Sequence, residues 1–429
     1  MRLGVGGTRR KWTGALAAMA AAALTVSCGD GSTEPEPPGF EPGPLGAVTL
    51  EAGAAVSIRS MLAMSVWPSG GNPARYGVEL AVRDVGAVRG RAIDLGDALD
   101  SACGPEGGRA AARQVVADAR VAGVIGTTCS AAAVAASPVI SQAGYVMVAP
   151  STTSPLLTSD LAGNPNPDYH AGYFRVANND LYQARALSDF AFNQLGLRRV
   201  ATVQDGDPYT SALVAAFAAA FEALGGEVPA ATSIAKGETD MTAALGELAA
   251  AGPDGVFFPL FEAEGTPFAA QARGFDGLEG ATLISGSALL VSSFLATPQS
   301  EGMYFAGPES DFGPNVNEVT GKSGADVLAA YEAAYGGPPS SPYWAHAYDA
   351  TTLLLTAIGT VAVEEGERLH IDRAGLRAEI GRTSLTGLIG GISCDDFGDC
   401  GTGRINIVHH TDSQVTDIAQ LPVVYRFAP

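Results

Sequence analysis

From about residue 48 the chain alternates short apolar runs with stretches of helical periodicity, and it does so in two series. The apolar runs of the first series lie at 56–64, 92–95, 121–125 and 146–148. The runs of the second series, which starts after residue 176, lie at 199–204, 227–234, 255–258 and 281–284. Strands that alternate with helices form parallel sheets with helices on both faces. The sequence therefore predicts an α/β protein with two doubly wound, parallel-sheet lobes. One helix, over 131–142, is expected to break near Pro138.

Two neighbouring apolar runs end in turns that are rich in hydroxyl side chains. Gly-Thr-Thr-Cys-Ser at 126–130 follows the run at 121–125, and Ala-Pro-Ser-Thr-Thr-Ser-Pro at 149–155 follows the run at 146–148. Each turn is predicted to start a helix, where free N–H groups and the helix dipole favour an anion. A single turn of this kind would be an ordinary helix cap. Two of them at the carboxyl ends of adjacent strands predict a site for a small carboxylate-bearing molecule.

The N-terminus has the pattern of an export signal over residues 1–27. Basic residues at 9–11 precede an apolar stretch over 12–26, and small residues come before Cys28. Residues 24–28 resemble a bacterial lipobox with a longer Leu-to-Cys spacing than usual, so Cys28 is the candidate for lipidation. Cleavage as an ordinary secretory signal is the alternative. A membrane span is not expected, because the apolar stretch is shorter than about 20 residues.

Residues 28–47 are rich in proline and glutamate, a composition that cannot bury a core. They predict a disordered tether between a lipid anchor and the folded domain. The formal net charge of the chain is −20, which argues against nucleic acid and anionic membrane surfaces as partners. We expect an exported protein of the periplasm or cell envelope, in contact with the membrane through its lipid anchor.

The other four cysteines predict two disulfides, as is usual in an exported protein. Cys103 and Cys129 lie at predicted strand ends, and Cys394 and Cys400 bracket an acidic turn. No metal site is expected from these cysteines, because CxxC pairs are absent and the histidines lack ligand spacing.

Motifs for catalysis are missing from the sequence. It has no GxxxxGK[ST] phosphate loop, and residues 126–130 have Thr where a GxSxG elbow has Ser. No His is placed to activate a nucleophile. Three aspartates at 94, 97 and 100 lack the Gly and Glu positions of a calcium loop. We therefore expect neither an enzyme nor a cofactor.

The ordered set of motifs after residue 48 resembles the Leu/Ile/Val-binding proteins of bacterial ABC importers, which are type I periplasmic binding proteins. The segments that carry the resemblance are 74–82, 100–105, 126–130, 149–158, 174–175, 204–209, 271–277, 348–350 and 387–399. The resemblance implies two lobes joined by three crossovers, near 175–178, 305–308 and 399–405, that close on a ligand. It implies that lobe 1 comprises 48–176 and 307–400, and that lobe 2 comprises 177–306 and 401–429. It also implies a disulfide between Cys103 and Cys129.

Several site residues follow from the same resemblance. Ser130, Ser151 and Thr153 lie where the family holds a ligand α-carboxylate, which agrees with the argument from the two turns. Tyr209 falls where the other lobe contributes an aromatic contact. Trp67 lies in the first loop, where an aromatic side chain often packs on the ligand; packing within the loop is the alternative.

The chain departs from the family at the end of the site that recognises an amino group. Phe261 stands where the family has a tyrosine, and Ser287 stands near the position of its acidic residue. A buried ammonium needs a partner that offsets its desolvation. Glu262 or Glu264 could supply one; surface acids are the alternative. Without such a partner the ligand would lack an α-amino group and be a simpler carboxylate or amide.

Two functions are consistent with these features. The first is a solute-binding protein that delivers a small molecule to an ABC permease in the inner membrane. The second is a ligand-sensing receptor subunit of the same fold that hands a signal to a membrane partner. A hydrolase is a third hypothesis without a supporting motif.

Overall fold

The computed structural model of the protein describes residues 39–429. The predicted signal peptide, Cys28 and the predicted tether up to residue 38 lie outside the described residues. Among the residues that are described, no helix combines the length and the apolar character needed to cross a membrane.

The last part of the predicted tether, residues 40–47, is packed against the folded domain and is not disordered. The Phe40 ring stacks on the His370 ring with centroids 4.4 Å apart. The backbone N–H of Gly43 donates to the Asp372 carboxylate at 2.7 Å. An aromatic contact with a half-buried Phe40 and a hydrogen bond to a charged group offset the loss of chain entropy on ordering this proline-rich segment.

The elements of the described chain follow the predicted alternation. The first part contains β1 (Ala47–Leu50), β2 (Val56–Leu62), α1 (Pro68–Val85), β3 (Ala87–Val88), β4 (Arg91–Asp94), β5 (Leu99–Asp100), α2 (Pro105–Ala117), β6 (Val121–Gly126), α3 (Ser130–Gln142), β7 (Met147–Ala149) and β8 (Tyr173–Arg175). The second part contains α4 (Asp180–Asp189), β9 (Val200–Gln204), α5 (Pro208–Ala223), β10 (Ala231–Ser233), α6 (Thr242–Ala251), β11 (Gly255–Phe257), α7 (Glu262–Ala272), β12 (Thr282–Ser285), α8 (Ser292–Leu295) and β13 (Met303–Pro308). The third part contains β14 (Val316–Asn317), β15 (Lys322–Ser323), α9 (Gly324–Tyr335), α10 (Trp344–Val361), β16 (Val363–Glu365), β17 (Arg368–Asp372), α11 (Arg373–Arg382), β18 (Ser384–Gly387), β19 (Gly390–Ser393), β20 (Ile405–His410) and β21 (Val423–Phe427).

The first large sheet has the strand order β3-β4-β2-β6-β7-β8, and β5 also pairs with β2. All of its pairings are parallel except that of β3 with β4. Successive residues of β6 point to opposite faces: Val124 packs in a core with Ala133 of α3, and Ile125 in a core with Leu354 of α10. Helices therefore cover both faces, and the predicted doubly wound α/β fold is confirmed.

The second large sheet has the order β10-β9-β11-β12-β13-β20-β21. Its first five strands are parallel, whereas β20 and β21 are antiparallel additions. Aromatic side chains fill its core; the Phe217 ring of α5 lies 4.8 Å from the Phe257 ring of β11. We call the parts built on the first and second sheets lobe 1 and lobe 2.

The described chain passes between the two sheets three times, after β8, after β13 and after β19. The second passage follows Pro308, because β13 extends through residues 305–308 and pairs there with β20. This places the passage slightly later in the chain than the predicted segment.

Helix α3 continues through Pro138 and does not break there. Proline removes one hydrogen bond of the helix. The surrounding alanine side chains of α3 are buried in lobe 1, and this packing keeps the helix in one piece.

Candidate ligand-binding site

The two hydroxyl-rich turns follow β6 and β7 and are tied to each other. The Ser151 hydroxyl donates to the Thr128 carbonyl oxygen at 3.0 Å, and the backbone N–H of Ser154 donates to Ser130 Oγ at 3.3 Å. Thr128 Oγ1 accepts from the backbone N–H of Ala63 at 2.9 Å. The turns therefore form one rigid edge at the carboxyl ends of adjacent parallel strands, as the sequence predicts.

The N-terminus of α3 has backbone donors that no side chain within residues 39–429 satisfies. The residue that precedes the helix is Cys129, which makes no side-chain cap hydrogen bond. By contrast, Asn179 caps α4 and Asp207 caps α5. Because a helix leaves its first N–H groups without partners, α3 presents free donors and the positive end of its dipole beside Ser130.

The second turn differs from its prediction, since it is followed by a single 3-10 turn at Pro155–Leu157 and not by a longer helix. Proline at 155 and the buried side chain of Arg175 fix its course. Arg175 donates to the Ser154 carbonyl at 2.7 Å and to Thr158 Oγ1 at 2.7 Å. These bonds satisfy the oxygens of the turn, so the turn contributes hydroxyls but no helix dipole.

Lobe 2 faces these turns with residues that also lie at strand or helix ends. Tyr209 is in the first turn of α5, whose start is fixed by a hydrogen bond from the Tyr209 N–H to the Asp207 carboxylate at 2.9 Å. Phe261 directly precedes α7, and Ser287 follows β12. Three strands of the second sheet thus direct these side chains to the same edge as the two turns.

A narrow cavity lies between the two walls. It is lined by Trp67, Thr128, Cys129, Ser130, Ser151, Thr153, Tyr209, Phe261, Ser287, Ala288 and Tyr343. The Phe261 ring lies 5.2 Å from the Trp67 ring of lobe 1 and 5.5 Å from the Tyr209 ring of lobe 2. The structure therefore brings together seven of the nine ligand-contact candidates from the sequence, and their roles in binding stay predictions.

Two polar atoms of this lining are buried without a hydrogen-bond partner among the described residues. They are Nε1 of Trp67 and the hydroxyl of Tyr209. Burial raises the pKa of the Tyr209 hydroxyl well above its usual value, so this group stays protonated. Because an unsatisfied buried polar group is costly, both atoms indicate that the cavity accommodates polar groups.

Glu262 and Glu264 are the candidates that the structure does not bring to the cavity. Glu262 begins α7, and its carboxylate accepts a hydrogen bond from Ser293. Glu264 is buried two residues further along, and one of its carboxylate oxygens accepts from the backbone N–H of Gly237 at 2.6 Å. Side chains at successive positions around the start of a helix point in different directions. Phe261 therefore faces the cavity while the two glutamates turn to other partners.

Sequence reasoning missed Tyr343 as a lining residue. Its hydroxyl donates to Ser287 Oγ at 3.0 Å, which joins lobe 1 to the wall of lobe 2. The sequence places Tyr343 at the start of a long helix, where an aromatic residue predicts only packing. No local signal reveals its role, because the contact joins residues 56 positions apart.

Both disulfides expected from the sequence are present. Cys103 is bonded to Cys129, which fixes the loop before α2 to the first hydroxyl-rich turn. Cys394 is bonded to Cys400 beside the third passage between the sheets. Within residues 39–429, no group of three or more His, Cys, Asp or Glu side chains could hold a metal ion.

Comparison with known proteins agrees with this geometry. A sequence model of a family described as periplasmic binding protein matches residues 65–401. An amino acid binding protein of Pseudomonas aeruginosa is 28% identical over 284 residues, which are 66% of this chain and 72% of that protein. The leucine binding protein LivK of Thermotoga maritima has a TM-score of 0.74 at 24% identity, covering 87% of this chain and 99% of its own. An ABC transporter solute binding protein from R. palustris, solved with benzoate, has a TM-score of 0.70 at 20% identity, covering 88% of this chain and 97% of its own.

Two α/β lobes of this topology, with a small cavity at their strand ends, define a solute-binding protein. The chain belongs to the periplasmic binding protein family. The predicted resemblance to the type I, Leu/Ile/Val-binding proteins is confirmed by the sequence relatives and by the fold. Because members of this family bind solutes and are not enzymes, the prediction that the chain is not an enzyme is confirmed as well. Family membership implies that the protein is exported.

Proposed function

We propose that this protein is the solute-binding component of an ABC importer and captures a small carboxylate-bearing solute, of the amino-acid class, between its lobes. The observation that carries the proposal is the pair of hydroxyl-rich turns beside the uncapped start of α3, opposite an aromatic wall. The names of the relatives support this ligand class. The protein then delivers the captured solute to a permease in the inner membrane.

The carboxylate of the solute binds at the start of α3. Ser130 Oγ accepts a hydrogen bond from Ser154, so its O–H remains available for donation. The free N–H groups of α3 add charge-assisted donors. Thr153 supplies a second hydroxyl, and Ser151 orders the site by its bond to the carbonyl of Thr128.

The rest of the solute packs against Trp67, Tyr209, Phe261 and Tyr343. Such aromatic walls favour an apolar body, and their polar tips favour a polar end.

Capture depends on motion between the lobes. Lobe 1 comprises residues 48–176 and 309–400, and lobe 2 comprises 177–308 and 401–429. The solute binds first to the turns of lobe 1, and closure of lobe 2 then presents a shape that the permease recognises. Contacts such as the hydrogen bond from the Ser154 hydroxyl to the Pro208 carbonyl, at 2.9 Å, stabilise the closed arrangement.

The protein is held at the cell envelope through its N-terminus. Residues 1–27 act as the signal peptide, Cys28 carries the lipid, and the residues after it act as a spacer. Cells fed a labelled fatty acid should incorporate label into the wild-type protein and not into Cys28→Ser. Equal labelling of the two proteins would contradict the anchor.

The function is tested by the melting temperature of the purified protein with a panel of amino acids, their deamino analogues and aromatic carboxylates. A solute at a hundred times its Kd should stabilise the protein by about 2.7 kcal/mol. A panel in which no carboxylate raises the melting temperature would contradict the proposal. Loss of uptake of the same solute on deletion of the gene would distinguish import from sensing, since a sensor subunit is not needed for uptake.

A further inference from the structure

One carboxylate in the interlobe region has no partner that explains its burial. Asp180 is the first residue of α4 and is fully buried. Neither oxygen of its carboxylate meets the geometry of a hydrogen bond with any of the described residues, although the Thr153 side chain lies close enough to lower its pKa. Its backbone N–H donates to the Thr153 carbonyl at 2.9 Å, which fixes the residue behind the second hydroxyl-rich turn. A buried ion without a partner is strongly unfavourable. The Asp180 carboxylate is therefore expected either to be protonated or to bind a cationic ligand.

The nearest cation does not neutralise Asp180. Arg175 is fully buried, and its guanidinium donates to the Asp399 carboxylate, to the carbonyls of Thr152 and Ser154, and to Thr158 Oγ1. Its charge is therefore balanced by Asp399. Burial raises the pKa of Asp180 to about 7, and the nearby Thr153 side chain and Arg175 charge offset that effect only in part.

Further unsatisfied polar atoms surround this carboxylate. Gln183 lies three residues along α4 and so shares a helix face with Asp180. Both polar atoms of the Gln183 amide and the Tyr209 hydroxyl are buried without a partner among the described residues. A methyl group on Gly286 would lie 2.4 Å from the Tyr209 hydroxyl and 3.0 Å from Gln183 Nε2, so these two groups converge on one point. We call Asp180, Gln183 and Tyr209 the Asp180 cluster.

The Asp180 cluster adjoins the proposed ligand cavity. Tyr209 is shared by both, and Thr153, whose backbone holds Asp180, lines the cavity. The charge of Asp180 also raises the pKa of the hydroxyls of Tyr209 and Tyr343, although burial is the larger cause for each. Tyr343 is a lining residue too. The carboxylate thus lies directly behind one end of the cavity.

We infer that Asp180 is the specificity-determining residue that accepts a primary ammonium group of the solute, with Tyr209 and Gln183 as neutral partners. The inference rests on the proposed function and deepens it, because it assigns the solute to ammonium-bearing carboxylates. None of Asp180, Glu262 and Glu264 lines the cavity directly, but the two glutamates already accept hydrogen bonds elsewhere, whereas Asp180 is held by the backbone of Thr153, a lining residue. A cation bound there replaces the missing partner of the buried carboxylate.

Matched pairs of ligands test this role by calorimetry. The pairs are leucine with its deamino analogue isocaproate, and phenylalanine with its deamino analogue hydrocinnamate. Wild-type protein should bind at least one amino acid about tenfold or more tightly than its partner. Asp180→Asn keeps the shape and removes the charge, so it should lose that preference while affinity for the deamino acid stays equal or increases. Glu264→Gln, which removes another buried carboxylate of lobe 2, should leave the preference intact.

Each other outcome has a definite meaning. A preference that persists in Asp180→Asn, or that vanishes in Glu264→Gln, overturns the role of Asp180. Tighter binding of the deamino acids by the wild-type protein overturns it as well, while the proposed function stands. If the folded wild-type protein binds no member of either pair and no other carboxylate, the proposed function fails and the inference falls with it.

The wild-type protein alone provides a second test, in case Asp180→Asn does not fold. Protonation of Asp180 competes with the ammonium, so leucine should bind about tenfold more weakly at about pH 6 than at about pH 8. Isocaproate should not weaken over this range. The comparison cancels the titration of the other groups near the site, which are Arg175, Asp399, Tyr209 and Tyr343. Parallel pH profiles for the two ligands would contradict the inference.

Discussion

Arg175 and Asp399 form a buried ion pair in which the guanidinium Nε donates to the Asp399 carboxylate. Arg175 ends β8 just before the first passage between the sheets, and Asp399 precedes the third passage. The side chain of Arg175 is fully buried, and that of Asp399 is 12% exposed. The pair therefore joins two connecting segments and, through the bonds of Arg175 to the second turn, also positions one side of the cavity.

Removal of one partner of this pair should be strongly destabilising. Arg175→Met leaves Asp399 without its cation and the carbonyls of Thr152 and Ser154 without their side-chain donor, so we expect a loss of about 3–5 kcal/mol in the free energy of unfolding. Denaturation in urea measures this. Arg120→Met is the matched control, because the exposed pair of Arg120 with Asp118 should contribute little. A similar small effect for both variants would contradict the structural role of Arg175.

The two serines of the carboxylate site should differ in their effect on binding. The Ser130 O–H is free to donate, whereas Ser151 already donates its hydrogen to Thr128. We expect Ser130→Ala combined with Thr153→Ala to weaken solute binding at least about tenfold, since hydrogen bonds to charged groups contribute about 1.5–3 kcal/mol each. Ser151→Ala should weaken it less. Calorimetry measures both, and unchanged affinity in the double variant would refute the site.

The stability of the unliganded protein should depend on pH through Asp180. With a pKa of about 7, the folded carboxyl keeps its proton between about pH 4 and pH 7, where the unfolded chain has lost it. Stability from this group is therefore present at low pH and is lost as the pH rises through 7. Asp180→Asn should be more stable than the wild type at pH 8 by up to a few kcal/mol, with a smaller difference near pH 4. Melting temperatures measured at each pH give the difference.

Two other buried groups change protonation in or near the same pH range. Both are present in the wild type and in Asp180→Asn. Burial lowers the pKa of His346 to about 4 and raises the pKa of Asp349 to about 6. Subtraction of wild-type from variant stability cancels their effects. A difference that stays constant from pH 4 to pH 8 would mean that Asp180 does not titrate as expected.

The Cys103–Cys129 disulfide should stabilise the fold and resist labelling. It closes a loop of 26 residues, for which chain entropy predicts about 3–4 kcal/mol, and the separation of 6 between Cys394 and Cys400 predicts about 2 kcal/mol. Urea denaturation of Cys103→Ala/Cys129→Ala and Cys394→Ala/Cys400→Ala tests this order. Mass spectrometry should detect no alkylation of Cys103 or Cys129 before reduction. Labelling of the native, unreduced protein would contradict the bridge.

Much of the fold could be predicted from periodicity, because strand and helix spacing are local properties. The apolar runs at 121–125 and 146–148, which precede the two turns, agree with β6 and β7 to within one residue at each end. The predictions that failed concern segments in which tertiary contacts outweigh the local preference of the sequence. The break at Pro138 is prevented by packing around α3, and residues 40–47 are ordered by contacts with β17 and with Asp372.

The residues around the cavity also divide into those that the sequence predicts and those that it does not. Ser130, Ser151 and Thr153 could be found because consecutive βα units place their turns at one sheet edge. Tyr343 and Asp180 could not, because each resembles an ordinary residue at a helix start. Their significance comes from what faces them across the lobes: Ser287 in one case, and the unpartnered Tyr209 and Gln183 in the other.

The sequence by itself determined the α/β class, the two series of strands, the hydroxyl-rich turns and the cysteines available for disulfides, since these depend on residue type and on spacing along the chain. Only the tertiary structure decided which acidic side chain lies behind the cavity. Glu262 and Glu264 are adjacent to Phe261 in sequence but point to other partners, whereas Asp180 is 81 residues away from Phe261 and lies beside the site. The cost of burying a charge depends on every neighbour in three dimensions, and that set of neighbours is fixed only when the lobes are folded and in contact.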